Sequence, residues 1–405
     1  MPFLIVVFGL LYGVALARPP VVIVPGDGSN QLEARLHKPS TISWRCAANS
    51  DWYRIWLNIE ELTLNTACWS DNIKLVWDPA RNESRNNDGV ETRVPGFGGT
   101  ATLDCLHPWL CSASVVWKQV TDALVDAGYV RNDTLVGAPY DFRYAPFSRV
   151  GQEYQASLKE LIERLVNQAG KPALLVSHSM GGLQVLYFLS QQTPAWKKAH
   201  VAEWIPIAAP WSGSNIEFSL FASGDNAGIP LLSSLSVRGE QRTYETNFWL
   251  LPVPRWRDAS AIVTTPTRNY SAQDLVEFFP AIGYEVGLQI WDRIAKLPTN
   301  DLQAPGVPVR CLYSRGVDTP LTMHYPNGWN DPHPQKTMGD GDGTVNLESL
   351  KLCERWATSS SVAFRSRVFE NIAHADMLKS DDVIAEILDA TKVEHGKGAQ
   401  SAIVI

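Results

Sequence analysis

The chain has 405 residues, 45% of them hydrophobic, and a formal net charge of −7. That is enough apolar material to bury a large core as one elaborated domain. No block of five or six like charges occurs, which argues against a nucleic-acid partner.

Residues 3–16 are apolar and end in Ala15-Leu16-Ala17, a small-x-small cleavage pattern. Residues 1–17 are therefore read as a secretory signal peptide, although no lysine or arginine precedes the apolar run. No later stretch reaches the ~18 uninterrupted apolar residues of a membrane span. The six cysteines, at 46, 68, 105, 111, 311 and 353, show no C-x-x-C spacing. An oxidising route makes disulfides the default, and near neighbours would pair Cys46 with Cys68 and Cys311 with Cys353, leaving Cys105 and Cys111. Three N-x-S/T sequons, at Asn82, Asn132 and Asn269, fit the same route.

The core is expected to start within 18–45. Val21-Val22-Ile23-Val24 reads as a buried strand running into the glycine-rich turn Pro25-Gly26-Asp27-Gly28-Ser29-Asn30. No Gly-Lys-Ser/Thr follows, so this is not a phosphate-binding loop. Residues 46–80 form an insertion. Five of the fifteen tryptophans fall between residues 44 and 77. Trp52, Ile55, Trp56, Ile59 and Leu62 recur at helical spacing, which predicts an amphipathic helix in a loop closed by Cys46 and Cys68. Trp52, Ile55, Trp56 and Leu57 are the residues expected to meet a membrane–water interface.

The core resumes over 81–212. A helix is predicted near Val116–Ala127, ending at Gly128, and another over 153–168. Asp141 and Arg143 are read as structural partners. Then Lys171-Pro172-Ala173-Leu174-Leu175-Val176 leads into Ser177-His178-Ser179-Met180-Gly181, and an apolar helix pattern follows. A serine on a sharp strand-to-helix turn is the nucleophile elbow of α/β-hydrolases, usually G-x-S-x-G. Ser177 stands here in place of the first glycine. The tight turn lifts the hydroxyl of Ser179 out of the sheet, and the backbone N–H of Met180 faces the reacting carbonyl. A second oxyanion donor is expected from the turn after the first strand, at Asp27.

Past the strand at 204–209 the strand–helix alternation breaks down. Residues 213–305, rich in Pro, Gly, Ser and Trp, are read as a cap or lid. The core returns over 306–390 with a strand at 307–313 and the turn Met338-Gly339-Asp340-Gly341-Asp342-Gly343-Thr344-Val345. The α/β-hydrolase order requires an acid and then a histidine after the serine. A calcium loop counted from Asp340 fails, because Thr344 and Val345 occupy its fifth and sixth positions. Spacing does not separate Asp340 from Asp342. Of the histidines beyond them, His395 lies in a polar tail, residues 391–405, whereas His374 lies between a strand at 362–369 and a helix starting near Ser380. His374 is therefore the expected base.

Together these motifs resemble the lecithin–cholesterol acyltransferase family, with the nearer likeness to its lysosomal branch, the group XV phospholipases A2 or 1-O-acylceramide synthases. The residues that carry the resemblance are Val24-Pro25-Gly26-Asp27, Asn30-Gln31-Leu32-Glu33-Ala34 and Val94-Pro95-Gly96-Phe97-Gly98. With them go Ala138-Pro139-Tyr140-Asp141, His178-Ser179-Met180-Gly181, Ala222-Ser223-Gly224-Asp225-Asn226 and Gly339-Asp340-Gly341-Asp342-Gly343-Thr344-Val345. The resemblance implies a triad of Ser179, Asp342 and His374, oxyanion donors at Asp27 and Met180, and a Cys46–Cys68 loop in a membrane-binding subdomain. Ser177, Phe142 in place of a usual Trp, and the pair Cys105 and Cys111 depart from the family pattern.

The expectation is an α/β-hydrolase with a membrane-binding insertion and a cap, working without a metal or other cofactor. It would be a calcium-independent phospholipase A and transacylase at a phospholipid membrane surface. The acyl group would pass to water or to a lipid alcohol such as ceramide, in the lysosome or outside the cell. The rival readings are a secreted phospholipid–sterol acyltransferase and a lipid-binding protein with an inert triad.

Overall fold

A computed structural model describes residues 18–226, 228, 232–359 and 361–392. The expected signal peptide, His395 and nearly all of the expected tail lie outside the described residues. The centre of the molecule is a six-stranded sheet of β1 (Val21–Val24), β2 (Leu135–Gly137), β3 (Ala173–His178), β4 (Val201–Ile207), β5 (Val309–Arg315) and β6 (Phe364–Glu370). Its spatial order is β6-β5-β4-β3-β1-β2, and every neighbouring pair is parallel.

Parallel strands need crossovers that cover both faces of the sheet, so their sequences are apolar throughout rather than alternating. β1, β3 and β4 are buried at every residue. Helix α1 (Arg149–Ala169) connects β2 to β3 and turns Tyr154, Leu158, Leu161, Ile162 and Leu165 inward. The Ser148 side chain caps its start and Gly170, at φ +64°, ends it in the left-handed conformation. Helix α2 (Met180–Ser190) follows β3 and is buried on nearly all sides. Helix α3 (Asp381–Ala390) closes the chain behind β6 with Val383, Ile384 and Ile387 buried.

Residues 46–80 depart from the expected helix. Asn49–Trp56 is a strand, paired antiparallel with Leu32–His37, and helix begins only at Ile59. Apolar residues at 52, 55, 56, 59 and 62 match a 3.6-residue period by running across a strand, a turn and one short helix. The aromatic and β-branched side chains of the first half favour the pleated surface instead. The four residues expected to meet lipid differ in exposure. Ile55 is fully buried, and Trp56 and Leu57 are half-buried against the core. The Trp56 indole N–H donates to the carbonyl of Gly28 at 2.7 Å. Trp52 is flanked by the guanidiniums of Arg35 and Arg93, 5.0 and 4.3 Å from its ring. The insertion therefore leans on the turn after β1 rather than standing away from the core. Leu64 is its large exposed apolar side chain among the described residues, and Ile42 and Trp44 are exposed just before it.

Three disulfides join Cys46 to Cys68, Cys105 to Cys111 and Cys311 to Cys353. Asn82, Asn132 and Asn269 are all exposed. Arg143 is fully buried and grips Asp141 with two hydrogen bonds of 2.8 and 2.6 Å. Among the described residues of 213–305 there are five short α-helices, three 3-10 turns and two two-residue strands, the strands joined in a four-stranded sheet by Thr319–His324 and Gln335–Gly339. Among the described residues, no helix is long and apolar enough to cross a membrane.

Candidate active site

The loops at the carboxyl ends of β1, β3, β5 and β6 meet over one edge of the sheet. Ser179 follows β3 directly, at φ +54° and ψ −132°, a conformation that costs a non-glycine residue energy and persists only where the surroundings impose it. Its N–H is held by the carbonyl of Ile207 at 2.9 Å. The turn needs glycine at 181, because a Cβ there would run into the carbonyl oxygens of Val24 and Pro25. Gly26 packs as closely from the other side, since a Cβ on it would lie 2.8 Å from Cβ of Ser179. The turn after β1 is thereby pressed against the serine.

His374 opens a short 3-10 turn after β6. Its Nε2 is 2.9 Å from Oγ of Ser179 and its Nδ1 is 2.7 Å from Oδ2 of Asp342. Asp342 has no exposed surface, and its Oδ1 accepts from the N–H groups of Thr344 and Val345 at 3.0 and 2.7 Å. The backbone N–H of His374 also donates to the Asp342 carbonyl at 2.8 Å. Asp340 instead accepts from the N–H of Gly316 at 2.6 Å and lies exposed. The three side chains thus form one line of hydrogen bonds. With a proton on Nδ1 facing the carboxylate, the lone pair on Nε2 is free to accept from the serine hydroxyl.

Two supports were not legible as such in the sequence. His178, fully enclosed, lies with its ring 4.8 Å from that of His374, and its Nε2–H donates to the His374 carbonyl at 3.0 Å. Burial and then the neighbouring His374 push it down to about 3, so it stays neutral while it braces the loop. It precedes the acids and so stands outside the serine–acid–histidine order, yet it adjoins the serine. Ser177, which replaces the usual glycine, has no exposed surface and accepts from the Trp204 indole N–H at 3.0 Å. Neither position shows its partner in a linear pattern.

Asp27 carries exposed surface, yet the protein packed around it pushes its carboxyl up to about 7, against the pull of the Gly28 N–H. Two acids from the segment 213–305 feel its charge. Glu217 and Glu240 are buried, and both are raised by burial first and then, among other charges, by the charge of Asp27, Glu240 to about 8. Trp52, Ile55, Trp56 and Leu57 contribute no side chain to the hydrogen-bonded line. Among the described residues, no three His, Cys, Asp or Glu side chains gather where a metal ion could be held.

A family model described as "Lecithin:cholesterol acyltransferase" matches residues 52–296 and 286–381. Lecithin-cholesterol acyltransferase-like 1 of Arabidopsis thaliana is 39% identical, over 91% of this chain and 88% of its own length. The lysosomal phospholipase A and acyltransferase of Homo sapiens is 38% identical over 95% of this chain and 93% of its own. Phosphatidylcholine-sterol acyltransferase of Gallus gallus is 37% identical over 90% and 88%. Among solved structures, a chain of the Tle4–Tli4 complex superposes with a TM-score of 0.53 at 11% identity, over 93% of this chain and 99% of that one. That last likeness concerns the fold alone.

Proposed function

The chain belongs to the lecithin:cholesterol acyltransferase family, and from that premise we propose that it cleaves a fatty acyl ester of glycerophospholipids and passes the acyl group to water or a lipid alcohol. It is a serine hydrolase and acyltransferase of the α/β-hydrolase fold. The observation that carries the reading is the unbroken line from Ser179 through His374 to Asp342, at 2.9 and 2.7 Å.

Ser179 Oγ attacks the ester carbonyl while its proton moves to His374 Nε2, and Asp342 stabilises the resulting imidazolium. The tetrahedral oxyanion faces the N–H groups of Met180 and Asp27. Met180 is the first residue of α2, where helix geometry leaves an N–H without an intrahelical acceptor, and the Asp27 turn packs on the serine. Losing one such donor typically costs ~3 kcal/mol of barrier. Collapse expels the lysophospholipid, which takes the proton from His374. A water or lipid hydroxyl then gives its proton to His374 and attacks the acyl-enzyme, and as the Ser179 ester bond breaks Oγ takes that proton back and the fatty acid or new ester leaves.

The cap is read as residues 213–305, whose Glu217 and Glu240 sense the charge of Asp27 across the site. It would exclude water while the ester reacts. Peripheral contact with a phospholipid surface is supported by exposed Leu64, inside the Cys46–Cys68 loop, and exposed Trp44, just before it. Relatives with lysosomal and with sterol-transferring names are almost equally similar, so the destination is the lysosome or the cell exterior, and ceramide and sterol are the two acceptors to compare.

The test is release of fatty acid from phospholipid vesicles by the wild type and by Ser179→Ala, with ceramide and cholesterol competing as acceptors. Ser179→Ala should lose ~10⁶-fold in kcat and resist labelling by a fluorophosphonate. Retained turnover would falsify the assignment. A labelled serine without phospholipid turnover would leave a serine hydrolase of another substrate class.

A further inference from the structure

Among fifteen tryptophans only two are largely exposed, Trp44 at 88% and Trp109 at 89%. Trp109 lies inside the Cys105–Cys111 disulfide, in the loop whose cysteines depart from the family pattern. The loop leaves the core at Cys105 and returns at Val115, where the two residues form an antiparallel bridge. Both roots reach the site. The carbonyl of Cys105 accepts from the Gln31 side chain at 2.9 Å, just beyond the turn that carries Asp27. Two residues past Val115, fully buried Trp117 stands edge-on to His178, its ring centroid at 6.3 Å, and His178 adjoins Ser179.

The exposure of Trp109 is built in. Ser114 Oγ accepts from the N–H of His107 at 2.9 Å and donates to the carbonyl of Leu110 at 2.9 Å. The imidazole of His107 accepts from the N–H of Leu110 at 3.2 Å. These bonds and the disulfide hold a tight 3-10 turn, Pro108–Ala113, with Trp109 and half-exposed Leu110 at its outer side. Residues 105–117, Cys-Leu-His-Pro-Trp-Leu-Cys-Ser-Ala-Ser-Val-Val-Trp, include no Asp, Glu, Lys or Arg. A fixed, uncharged, outward-facing Trp–Leu pair has nothing to gain in water, whereas an indole beside an aliphatic side chain suits the headgroup–acyl boundary of a bilayer. Fixing the loop beforehand also removes the ordering cost that a flexible loop would meet on binding.

We propose that the Cys105–Cys111 loop is a lipid-surface anchor, with Trp109 and Leu110 entering the interface beside the mouth of the site. This rests on the phospholipid reading above, since it names the surface on which that substrate lies. It is separate from the Cys46–Cys68 segment and has its own attachment: Gln31 holds it, whereas Trp56 of that segment holds Gly28.

The test is sedimentation of the full chain with phosphatidylcholine vesicles, with and without an added anionic phospholipid. Ser179→Ala serves as the parent, so that binding is read without turnover. Trp109→Ser with Leu110→Ser should weaken partition about tenfold or more. Val276→Ser, at a residue 58% exposed on a helix within 213–305, should leave it unchanged. On the active chain the same pair should slow vesicle hydrolysis and leave turnover of a water-soluble short-chain ester intact. Unchanged partition of the Trp109 pair overturns the proposal, as does a loss confined to self-association in the absence of vesicles. If the wild type binds vesicles through Trp109 yet releases no fatty acid, the phospholipid reading fails while the anchor stands.

Discussion

Two buried acids show how differently the sheet edge and the segment 213–305 treat a carboxyl. Asp342, with no exposed surface, receives the N–H groups of Thr344 and Val345 on one oxygen and Nδ1 of His374 on the other. Glu240, 1% exposed, is pushed up to about 8 by burial, against the opposing pull of the Tyr244 hydroxyl. Glu217 in the same segment has an Oε2 unpartnered among the described residues and is raised well above its ordinary range, by burial first. Burial alone favours the neutral acid, while converging donors favour the anion. Hydrogen-bond donors converge on the acid at the edge, whereas burial holds a proton on the acids of 213–305, so substitutions in the two should be read out by different measurements.

The largest expected effect tests the edge. Asp342→Asn can keep an oxygen toward Thr344 and Val345 but turns an amide N–H₂ toward His374, which reverses the imidazole tautomer. Nε2 would then carry the hydrogen and could no longer accept from Ser179. A fall of ~10⁴ in kcat is expected, with a much smaller change in unfolding temperature. A variant that unfolds before it loses turnover would mean that Asp342 is chiefly structural.

The same division decides what could be read before any coordinates. β1, β3 and β4 announce themselves because strands covered on both faces read as nearly continuous apolar runs, with Ser177, His178 and Glu203 as buried exceptions, and the elbow follows from one of them. The order of serine, acid and histidine narrowed the base to His374, yet nothing local separated Asp340 from Asp342. They differ only in which loop they meet, Gly316 or His374. The insertion misled for a physical reason. In a small half-buried sheet, tertiary contacts such as Trp56 to Gly28 and Trp52 between Arg35 and Arg93 decide which residues face inward. His178 was hidden because its partner is a backbone carbonyl 196 residues away.

A second prediction sharpens the contrast from the side of 213–305. Glu240 is raised from its usual 4.5 to about 8 and Glu245, whose burial outweighs the N–H groups of Ser84 and Ala145, to about 7. The folded chain therefore holds protons that the unfolded chain has released. That contribution is fully present below about 4.5 and is lost as pH climbs through about 7 and 8. His178 works the other way: lowered from 6.5 to about 3, it costs stability as pH falls between those values. The buried carboxyls outnumber it, so the unfolding temperature should rise as pH is lowered from about 8.5 to about 5.5. Glu240→Gln should flatten part of that slope and stabilise the protein most at the alkaline end. A slope identical in the variant would show that Glu240 keeps its charge when folded.

The smallest effect lies beneath the elbow, where Ser177 departs from the common glycine. Its hydroxyl is the acceptor for the indole N–H of Trp204, whose ring packs with Trp211 and Trp356 at 5.7 and 5.9 Å. Ser177→Gly would restore the familiar pattern but leave that buried N–H without its acceptor, a cost of about 1–3 kcal/mol. It would also add backbone freedom to the unfolded chain, worth about 0.5–1 kcal/mol. The unfolding temperature should fall by a few degrees, while kcat per folded molecule holds, because Ser179, His374 and Asp342 keep their contacts. A gain in stability would mean that the indole finds another acceptor and that the serine is merely tolerated. A loss of kcat at constant stability would place Ser177 in the chemistry, which its burial on the sheet side of the turn argues against.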